Sequence, residues 1–339
     1  MNSVRRAGIV GIGSALPEKV LNNEYFESIV DTSDEWIVTR TGIKERRVAV
    51  DGECASQLAA RAAEQALNNA GISAEELDLI ICATISGDMP FPATASIVQE
   101  KIGAKKAAAF DLSAGCSGFV YALTTANSFV CSGTYNKVLV VGVDLLSKVT
   151  DYTDRTTCIL FGDGAGAVIV APTDGSHGIL STVLGSDGAG AELLKIEAGG
   201  SRMPITVEAI ETRQHCIKMA GSEVFKFAVR IMGDASLQAL EKCGLTPEDI
   251  DIFIPHQANI RIIESAARRL NLPPEKIFVN VQKYGNTSAA SIPIAMSEAM
   301  QEGRLKPGDV VVMVGFGAGL TWAASVVKWG ISANNGNSV

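Results

Sequence analysis

The feature that most constrains the fold of this chain is an internal repeat with a spacing of 173 residues, the separation of Gln65 and Gln238. The segment QALNNAGISAEELDLII at residues 65–81 is similar to QALEKCGLTPEDIDIFI at residues 238–254, and the same spacing aligns residues 138–142 with 311–315. Each long copy predicts a helix, a glycine that ends it, a short loop and an apolar strand. Convergence of two helix–loop–strand units is the alternative, but two matches at one spacing favour a duplication.

Apolar segments alternate with segments of helical spacing, which predicts the α/β fold class with sheets covered on both faces. We predict two similar halves, residues 1–174 and 175–339. Pseudo-symmetry between them would bring corresponding strand ends together, and α/β folds place their sites at strand ends. The predicted strand that ends near Ile254 leads directly to His256. His256 is therefore a candidate functional residue.

Cys116 lies between a predicted strand and a predicted helix, in the run FDLSAGCSGF at residues 110–119. Its neighbours are small and offer little steric cover. The start of a helix favours an anion, which predicts a thiol pKa below the usual value of about 8.5. The alternative is that Cys116 is a small buried hydrophobic residue, as many cysteines are. The residues around it leave both interpretations open.

Two further polar residues lie where predicted strands meet helices. His256 begins the run HQAN, and Asn286 lies in YGNTS at residues 284–288. Either could be structural, and Asn286 in particular could cap a helix or form a turn. Cysteine, histidine and asparagine in this order suit a cysteine hydrolase, with histidine as base. They also suit thioester chemistry, in which the cysteine carries an acyl group. The local signature of papain-like hydrolases is absent around Cys116.

Two glycine-rich runs follow apolar or core segments. GFGAG at residues 315–319 would permit close approach of the backbone to a ligand, or form a tight hairpin. FGDGAG at residues 161–166 is interpreted as a hairpin between core strands. Neither run has the spacing and helix context of a dinucleotide or phosphate loop.

Cysteine spacing and charge exclude several classes of function. The seven cysteines are scattered without a C-x-x-C pair, which argues against a zinc site or redox dithiol and predicts a reducing, cytoplasmic location. A formal net charge of −8 argues against general nucleic-acid binding. The longest apolar stretch, residues 310–320, is too short to span a membrane. We therefore expect neither nucleic acid nor membrane as a partner.

Taken together, these motifs resemble those of β-ketoacyl-acyl-carrier-protein synthase III, a family of thiolase-like condensing enzymes. The likeness extends over almost the whole chain and includes SDEWIVTRTGI at residues 33–43, the Cys116 run, FGDGAG, HQAN, YGNTS and GFGAG. Elongating condensing enzymes have a second histidine where this chain has Asn286, so the likeness is to the priming subclass and its relatives. The resemblance implies a five-layer α-β-α-β-α fold built from two similar halves.

The resemblance also implies a reaction that primes type II fatty acid synthesis. Cys116 would take the acyl group of a short acyl-CoA, with the N–H groups of Cys116 and Ala318 as an oxyanion hole. His256 and Asn286 would donate hydrogen bonds to the thioester oxygen of malonyl-acyl-carrier protein as carbon dioxide leaves, and Phe316 would form an apolar wall beside the carboxylate. Many relatives have glycine at position 318, but alanine keeps the N–H. The product is 3-oxoacyl-acyl-carrier protein. No metal or permanently bound cofactor is expected, because acyl-CoA is a substrate.

Binding residues follow from the same resemblance. It implies that Trp36 and Arg155 enclose the CoA adenine, and that Arg40 and Asn259 also contact CoA. Trp36 could instead be a core aromatic residue, and the arginines could simply be solvated. Phe91 resembles the residue that closes the acyl pocket of a partner subunit, which implies a homodimer.

Acyl carrier protein is acidic, so an acidic enzyme needs a local basic face to dock it. The resemblance and the helical spacing after Asn259 indicate four cations for this face: Lys226, Arg261, Arg268 and Arg269. Two alternatives to the priming enzyme stay open, namely a synthase of a specialised pathway and a catalytically silent partner of an active synthase.

Overall fold

The computed structural model describes residues 5–332. Its strands are β1 (Arg6–Ala15), β2 (Val20–Asn22), β3 (Glu45–Arg47), β4 (Leu79–Ala83), β5 (Ala108–Leu112), β6 (Val138–Leu145), β7 (Asp163–Thr173), β8 (Gly178–Ser186), β9 (Leu194–Ile196), β10 (Ile217–Met219), β11 (Ile252–Pro255), β12 (Val310–Gly317) and β13 (Thr321–Lys328). Its helices are α1 (Asn23–Glu27), α2 (Asp34–Thr41), α3 (Ala55–Ala70), α4 (Thr94–Lys101), α5 (Gly118–Ser132), α6 (Val207–Glu211), α7 (Gly221–Lys242), α8 (Ile260–Arg269), α9 (Val281–Tyr284) and α10 (Ser291–Gln301).

Two mixed sheets and three helical layers form the body of the protein. The first sheet has the strand order β1-β7-β6-β4-β5, and the second has the order β11-β12-β13-β8. Helix α3 packs on the outer face of the first sheet, α7 and α8 cover the outer face of the second, and α5 and α10 lie between the sheets. The central strands are apolar on both faces because both faces are covered. This is the five-layer α-β-α-β-α arrangement that the resemblance implied.

The repeat in the sequence is also a repeat in the structure. Strand β4 pairs with β6 in parallel with Leu79 opposite Val138, and β11 pairs with β12 in parallel with Ile252 opposite Val311. Both residues of the second pair follow those of the first by 173 positions. The central helices begin at Gly118 and Ser291, which are separated by the same interval. The duplication therefore determines strand register and helix position together, which convergence does not explain.

The two halves differ at one edge of their sheets. The first sheet has β5 paired with β4, whereas the corresponding part of the second half contributes only an isolated bridge between Phe253 and Ile277. A 3₁₀ turn, Pro274–Lys276, precedes this bridge. The counterpart of β5 in the second half is thus reduced to one bridged residue.

The halves share their central core. Side chains of α5, such as Phe119 and Leu123, are buried in one cluster with Met296 and Met300 of α10. A boundary at residue 174 stays a prediction, and the shared core means that it would divide the repeat without separating two independent cores. Within residues 5–332, no helix combines the length and apolarity needed to cross a bilayer.

Candidate active site

Cys116 lies in a 3₁₀ turn, Gly115–Ser117, that leads directly into α5. Gly115 has a φ of 54°, a left-handed conformation that glycine adopts without strain. The hydroxyl of Ser117 donates to the carbonyl of Ala114 at 2.7 Å and lies 2.8 Å from the hydroxyl of Thr321. The turn is thus fixed to the start of β13, and the thiol is held at the beginning of a central helix, as the sequence predicted.

The glycine run at the end of β12 lies against the Cys116 turn with its backbone. A Cβ atom on Gly317 would overlap the backbone nitrogen of Cys116, and one on Gly115 would lie 2.8 Å from the backbone nitrogen of Ala318. Glycine at 115 and 317 therefore permits the close approach that the sequence indicated. The approach brings the backbone segments of Cys116 and Ala318 together, as an oxyanion hole requires.

The predicted lowering of the Cys116 pKa is wrong for this structure. The thiol is buried, with 6% of the residue exposed. Burial raises its pKa to about 12, and the carboxylate of Asp144 contributes in the same direction. Desolvation of a thiolate outweighs the favourable helix start here. Cys116 is a neutral thiol in this state.

His256 is buried at the end of β11. Its backbone N–H donates to the carbonyl of Val314 at 2.8 Å, so the ring is anchored to β12. Its Nδ1 lies 2.6 Å from the hydroxyl oxygen of Ser291. Its ring packs edge to face against the ring of Phe316, with 5.6 Å between the ring centroids. Burial lowers the pKa of His256 to about 3. The imidazole is therefore neutral at physiological pH.

Asn286 is held by its backbone beside Phe161, through a parallel bridge between the two residues. Its side-chain oxygen accepts a hydrogen bond from the N–H of Ser288 at 2.9 Å. This leaves the amide NH₂ as the group that can donate to a ligand. The hydrolase arrangement, in which asparagine orients histidine, is not found, because Ser291 occupies Nδ1 of His256.

Two cavities meet at Cys116. One, of about 100 Å³, is shared by Cys116 with His256, Asn286, Phe316 and Gly317. The other, of about 240 Å³, is mostly apolar; with Cys116 and Ala318 it is lined by Ile85, Leu146, Phe161, Leu194, Lys195, Ile196 and Ile217. The structure thus brings the three predicted catalytic residues to one chamber and places an apolar chamber on the other side of the thiol.

The four residues expected to bind CoA lie near each other at the surface. Arg155 lies over the ring of Trp36 at 5.9 Å, and its guanidinium also donates to Asp31 at 3.0 Å. Trp36 is 40% exposed, so it is not a core residue. Asn259 caps α8 by accepting from the N–H of Arg261, and its NH₂ donates to the carbonyl of Arg40 at 3.0 Å. Asn259 thereby connects α8 to α2.

The four predicted docking cations have unequal surroundings. Arg261 lies over the ring of Phe225 at 5.0 Å, and Phe225 lines the cavity that contains His256. Lys226 pairs with Glu223 at 2.9 Å, and Arg268 with Glu264 at 3.8 Å.

Arg269 has a different environment from the other three cations. It pairs with Asp234 at 3.2 Å, and its stem crosses Gly233, where a side chain would overlap it. Arg269 therefore connects α8 to α7, a contact that the spacing of charges along α8 could not show. Phe91 is 84% exposed on the surface of the chain.

Sequence reasoning missed two residues of the site. One is Phe161, which the sequence predicts as part of a hairpin and which lines both cavities. The other is Ser291, which contacts His256. The run FGDGAG was a usable signal for Phe161. Nothing in the sequence around Ser291 indicates a partner 35 residues away.

Comparison with known proteins identifies the family of this chain. A family model described as 3-oxoacyl-[acyl-carrier-protein (ACP)] synthase III matches residues 110–188, and a second, described as the C-terminal part of the same family, matches residues 240–329. The chain is 56% identical over 323 residues to a beta-ketoacyl-[acyl-carrier-protein] synthase III of Caldanaerobacter subterraneus subsp. tengcongensis, with 95% of this chain and 98% of the relative covered. It is 57% identical over 324 residues to the protein of the same description from Clostridioides difficile, with 96% and 98% covered.

Solved structures show the same relationship. The crystal structure of 3-oxoacyl-[acyl-carrier-protein] synthase III from Aquifex aeolicus superposes with a TM-score of 0.88 at 50% identity, and 95% of this chain and 100% of that chain are covered. Family and fold therefore agree over nearly the whole length, and the chain belongs to the 3-oxoacyl-[acyl-carrier-protein] synthase III family.

Proposed function

We propose that this enzyme is an acyltransferase that starts type II fatty acid synthesis by condensing a short acyl-CoA with malonyl-acyl-carrier protein. The products are 3-oxoacyl-acyl-carrier protein, CoA and carbon dioxide. The observation that carries this proposal is the position of Cys116, which lies between an apolar chamber and a chamber that contains His256 and Asn286. One sulfur can thus hold an acyl chain on one side and meet a second thioester on the other.

In the first half-reaction, the sulfur of Cys116 attacks the thioester carbon of acyl-CoA. The carbon–sulfur bond to CoA breaks, and the thiol proton of Cys116 leaves with CoA as its free thiol. The N–H groups of Cys116 and Ala318 stabilise the oxyanion, which the close approach of their backbones supports. The raised pKa of Cys116 means that its proton is lost as the thioester is attacked and not beforehand.

In the second half-reaction, malonyl-acyl-carrier protein loses carbon dioxide, and the resulting carbanion attacks the acyl carbon on Cys116. The bond between that carbon and the Cys116 sulfur breaks, and the sulfur takes up a proton from solvent to regenerate the thiol. The NH₂ of Asn286 and a neutral His256 donate hydrogen bonds to the thioester oxygen as it gains charge. Phe316, in contact with the His256 ring, offers the carboxylate an apolar neighbour that disfavours its charge.

Several features support the binding partners. The pairing of Arg155 with Trp36, beside Arg40 and Asn259, offers a stacking and cationic surface for CoA. Arg261 beside Phe225 marks the approach to the His256 chamber for an acidic carrier protein. No resident cofactor or metal is needed for either half-reaction.

A homodimer is supported by two features of the first half. Phe91 exposes a large apolar side chain, and among residues 5–332 β5 has a strand partner on one side only. A cytoplasmic location is supported by the seven cysteines, all of which are free thiols in the structure.

The test is mass spectrometry of the purified protein after exposure to a panel of acyl-CoAs, followed by malonyl-acyl-carrier protein. We expect an acyl mass on the peptide that contains Cys116, and its discharge with formation of 3-oxoacyl-acyl-carrier protein. Hydrolysis of the acyl-enzyme without condensation would refute the proposal. An inactive homodimer would revive the silent-partner hypothesis, and exclusive use of unusual primers would favour a specialised pathway.

A further inference from the structure

Ser291 holds a position that the reaction described above does not yet explain. It is the first residue of α10 and is buried, as is His256. Its hydroxyl oxygen lies 2.6 Å from Nδ1 of His256 and accepts the backbone N–H of Gln257 at 3.3 Å. One side chain thus contacts both the ring and the backbone that follows it.

The hydrogen bond from Gln257 restricts the remaining options of this hydroxyl. Within the described residues, Nδ1 of His256 is the one further hydrogen-bond partner of the Ser291 oxygen. If Nδ1 carried the proton, the oxygen would accept twice and its own hydrogen would be buried without an acceptor. Buried polar hydrogens without acceptors are costly. The favoured arrangement is therefore donation from the Ser291 hydroxyl to Nδ1.

The duplication provides an internal comparison. Ala83 and Gly118 are the counterparts of His256 and Ser291 at the spacing of 173 residues. A Cβ atom on Gly118 would lie 3.2 Å from Cβ of Ala83, so these positions face each other in the first half as well. The fold therefore brings the two positions together with or without polar groups. The hydroxyl of Ser291 is not required for that packing.

We propose that Ser291 is a positioning residue that fixes the neutral tautomer of His256 with its proton on Nε2. This inference rests on the proposed function, since it gives His256 an N–H to donate to the malonyl thioester oxygen. The same tautomer leaves no lone pair on Nε2 facing the cavity. His256 then cannot accept the proton of Cys116, and acylation proceeds without it as a base.

The test combines nitrogen NMR with separate assays of the two half-reactions. The chain has three histidines, so ¹⁵N-histidine labelling gives a simple spectrum, and His256→Ala assigns the relevant signals. We expect Nδ1 of His256 to be unprotonated and Nε2 protonated in the unmodified protein. Ser291→Ala should populate the other tautomer and lower the rate of malonyl-acyl-carrier protein decarboxylation by about 10- to 100-fold, or about 1.4–2.8 kcal/mol. Acylation of Cys116 should stay within about threefold.

Two further variants separate positioning from packing. Ser291→Thr keeps the hydroxyl and should restore both the tautomer and most of the decarboxylation rate. Ser297→Ala removes another buried hydroxyl from the same helix, one that contacts the hydroxyl of Ser14 at 3.1 Å. This control should change neither the tautomer of His256 nor the rate of decarboxylation.

Protonation of Nδ1 in the unmodified protein would overturn the inference, even if Ser291→Ala failed to fold. So would a folded Ser291→Ala protein with an unchanged tautomer and decarboxylation rate. If the unmodified protein neither takes up acyl groups nor condenses them, the proposed function fails. The nitrogen spectrum still reports the tautomer in that case.

Discussion

Replacement of Gly317 by alanine tests the contact between the glycine run and the nucleophile. The added Cβ atom would overlap the backbone nitrogen of Cys116 and lie 3.1 Å from the carbonyl carbon of Gly115. Both neighbours are backbone atoms, so no change of rotamer can relieve the overlap. The turn and the strand must separate, and we expect a displacement of about 1 Å, which can cost a reaction about 10²-fold when it misplaces reacting groups.

The displacement should act mainly on the oxyanion hole, because it separates the N–H groups of Cys116 and Ala318. Loss of one oxyanion donor typically lowers a rate by about 10²–10³, equivalent to about 2.7–4 kcal/mol. We expect Gly317→Ala to slow acylation of Cys116 within this range and to lower the free energy of unfolding by about 1–3 kcal/mol through overpacking. Rapid-quench mass spectrometry would measure the rate of acylation, and denaturant unfolding would measure the free energy of unfolding.

Two matched variants control for the added methyl group. A Cβ atom on Gly315 would meet Cys116 at 3.4 Å, an ordinary contact, so Gly315→Ala should acylate at nearly the normal rate. A Cβ atom on Gly200 would have no neighbour within 4 Å, so Gly200→Ala should change neither the rate of acylation nor the free energy of unfolding. A folded Gly317→Ala enzyme that acylates as fast as Gly315→Ala would refute the reasoning.

Three further predictions concern the site and its surface. Cys116→Ser should abolish acyl transfer but retain decarboxylation of malonyl-acyl-carrier protein, whereas His256→Ala should retain acylation and impair decarboxylation. The two half-reactions are measured separately, and equal loss of both in either folded variant would contradict this division. Burial lowers the pKa of His256 from 6.5 to about 3, so the folded state binds fewer protons than the unfolded state between these values. The free energy of unfolding should therefore fall as the pH is lowered from 6.5 towards 3, by up to about 1.4 kcal/mol per pH unit from this group, and urea titrations should show a shallower dependence in His256→Gln. Arg261→Glu should raise the KM for malonyl-acyl-carrier protein without slowing acylation by acyl-CoA. As a control, the charge reversal Arg61→Glu on the distant helix α3 should change neither this KM nor the rate of acylation.

The elements that could be predicted from sequence are those determined by short-range pattern. The repeat predicted strand β11 and the position of His256 after it, and the small residues around Cys116 predicted a strand followed by a helix. Both are found. Apolar residues at helical spacing along α8, such as Ile263 and Ala266, are likewise buried against the core. Such patterns are visible because each depends on a few neighbouring residues.

Properties that depend on distant neighbours could not be predicted in the same way. The helix start at Cys116 favours a thiolate, but the surrounding layers bury the sulfur, and burial has the larger effect on its pKa. Arg269 follows the charge pattern of a docking surface, yet its partner Asp234 lies on another helix. The contact between Ser291 and His256 likewise joins residues 35 positions apart. In each case the tertiary contact determines the role of the residue.

The shared central core has a consequence for how this enzyme is made. Helix α5, which begins beside Cys116, shares a buried cluster with α10 and packs on strands of the second sheet, including β13, which ends at Lys328. During synthesis from the N-terminus, the first sheet can form before these later segments leave the ribosome. One face of α5 then has nothing to cover it, and the turn that holds the nucleophile lacks the Gly317 backbone beside it. A chain interrupted midway would therefore be a target for chaperones or proteases, and it could not carry out half of the reaction.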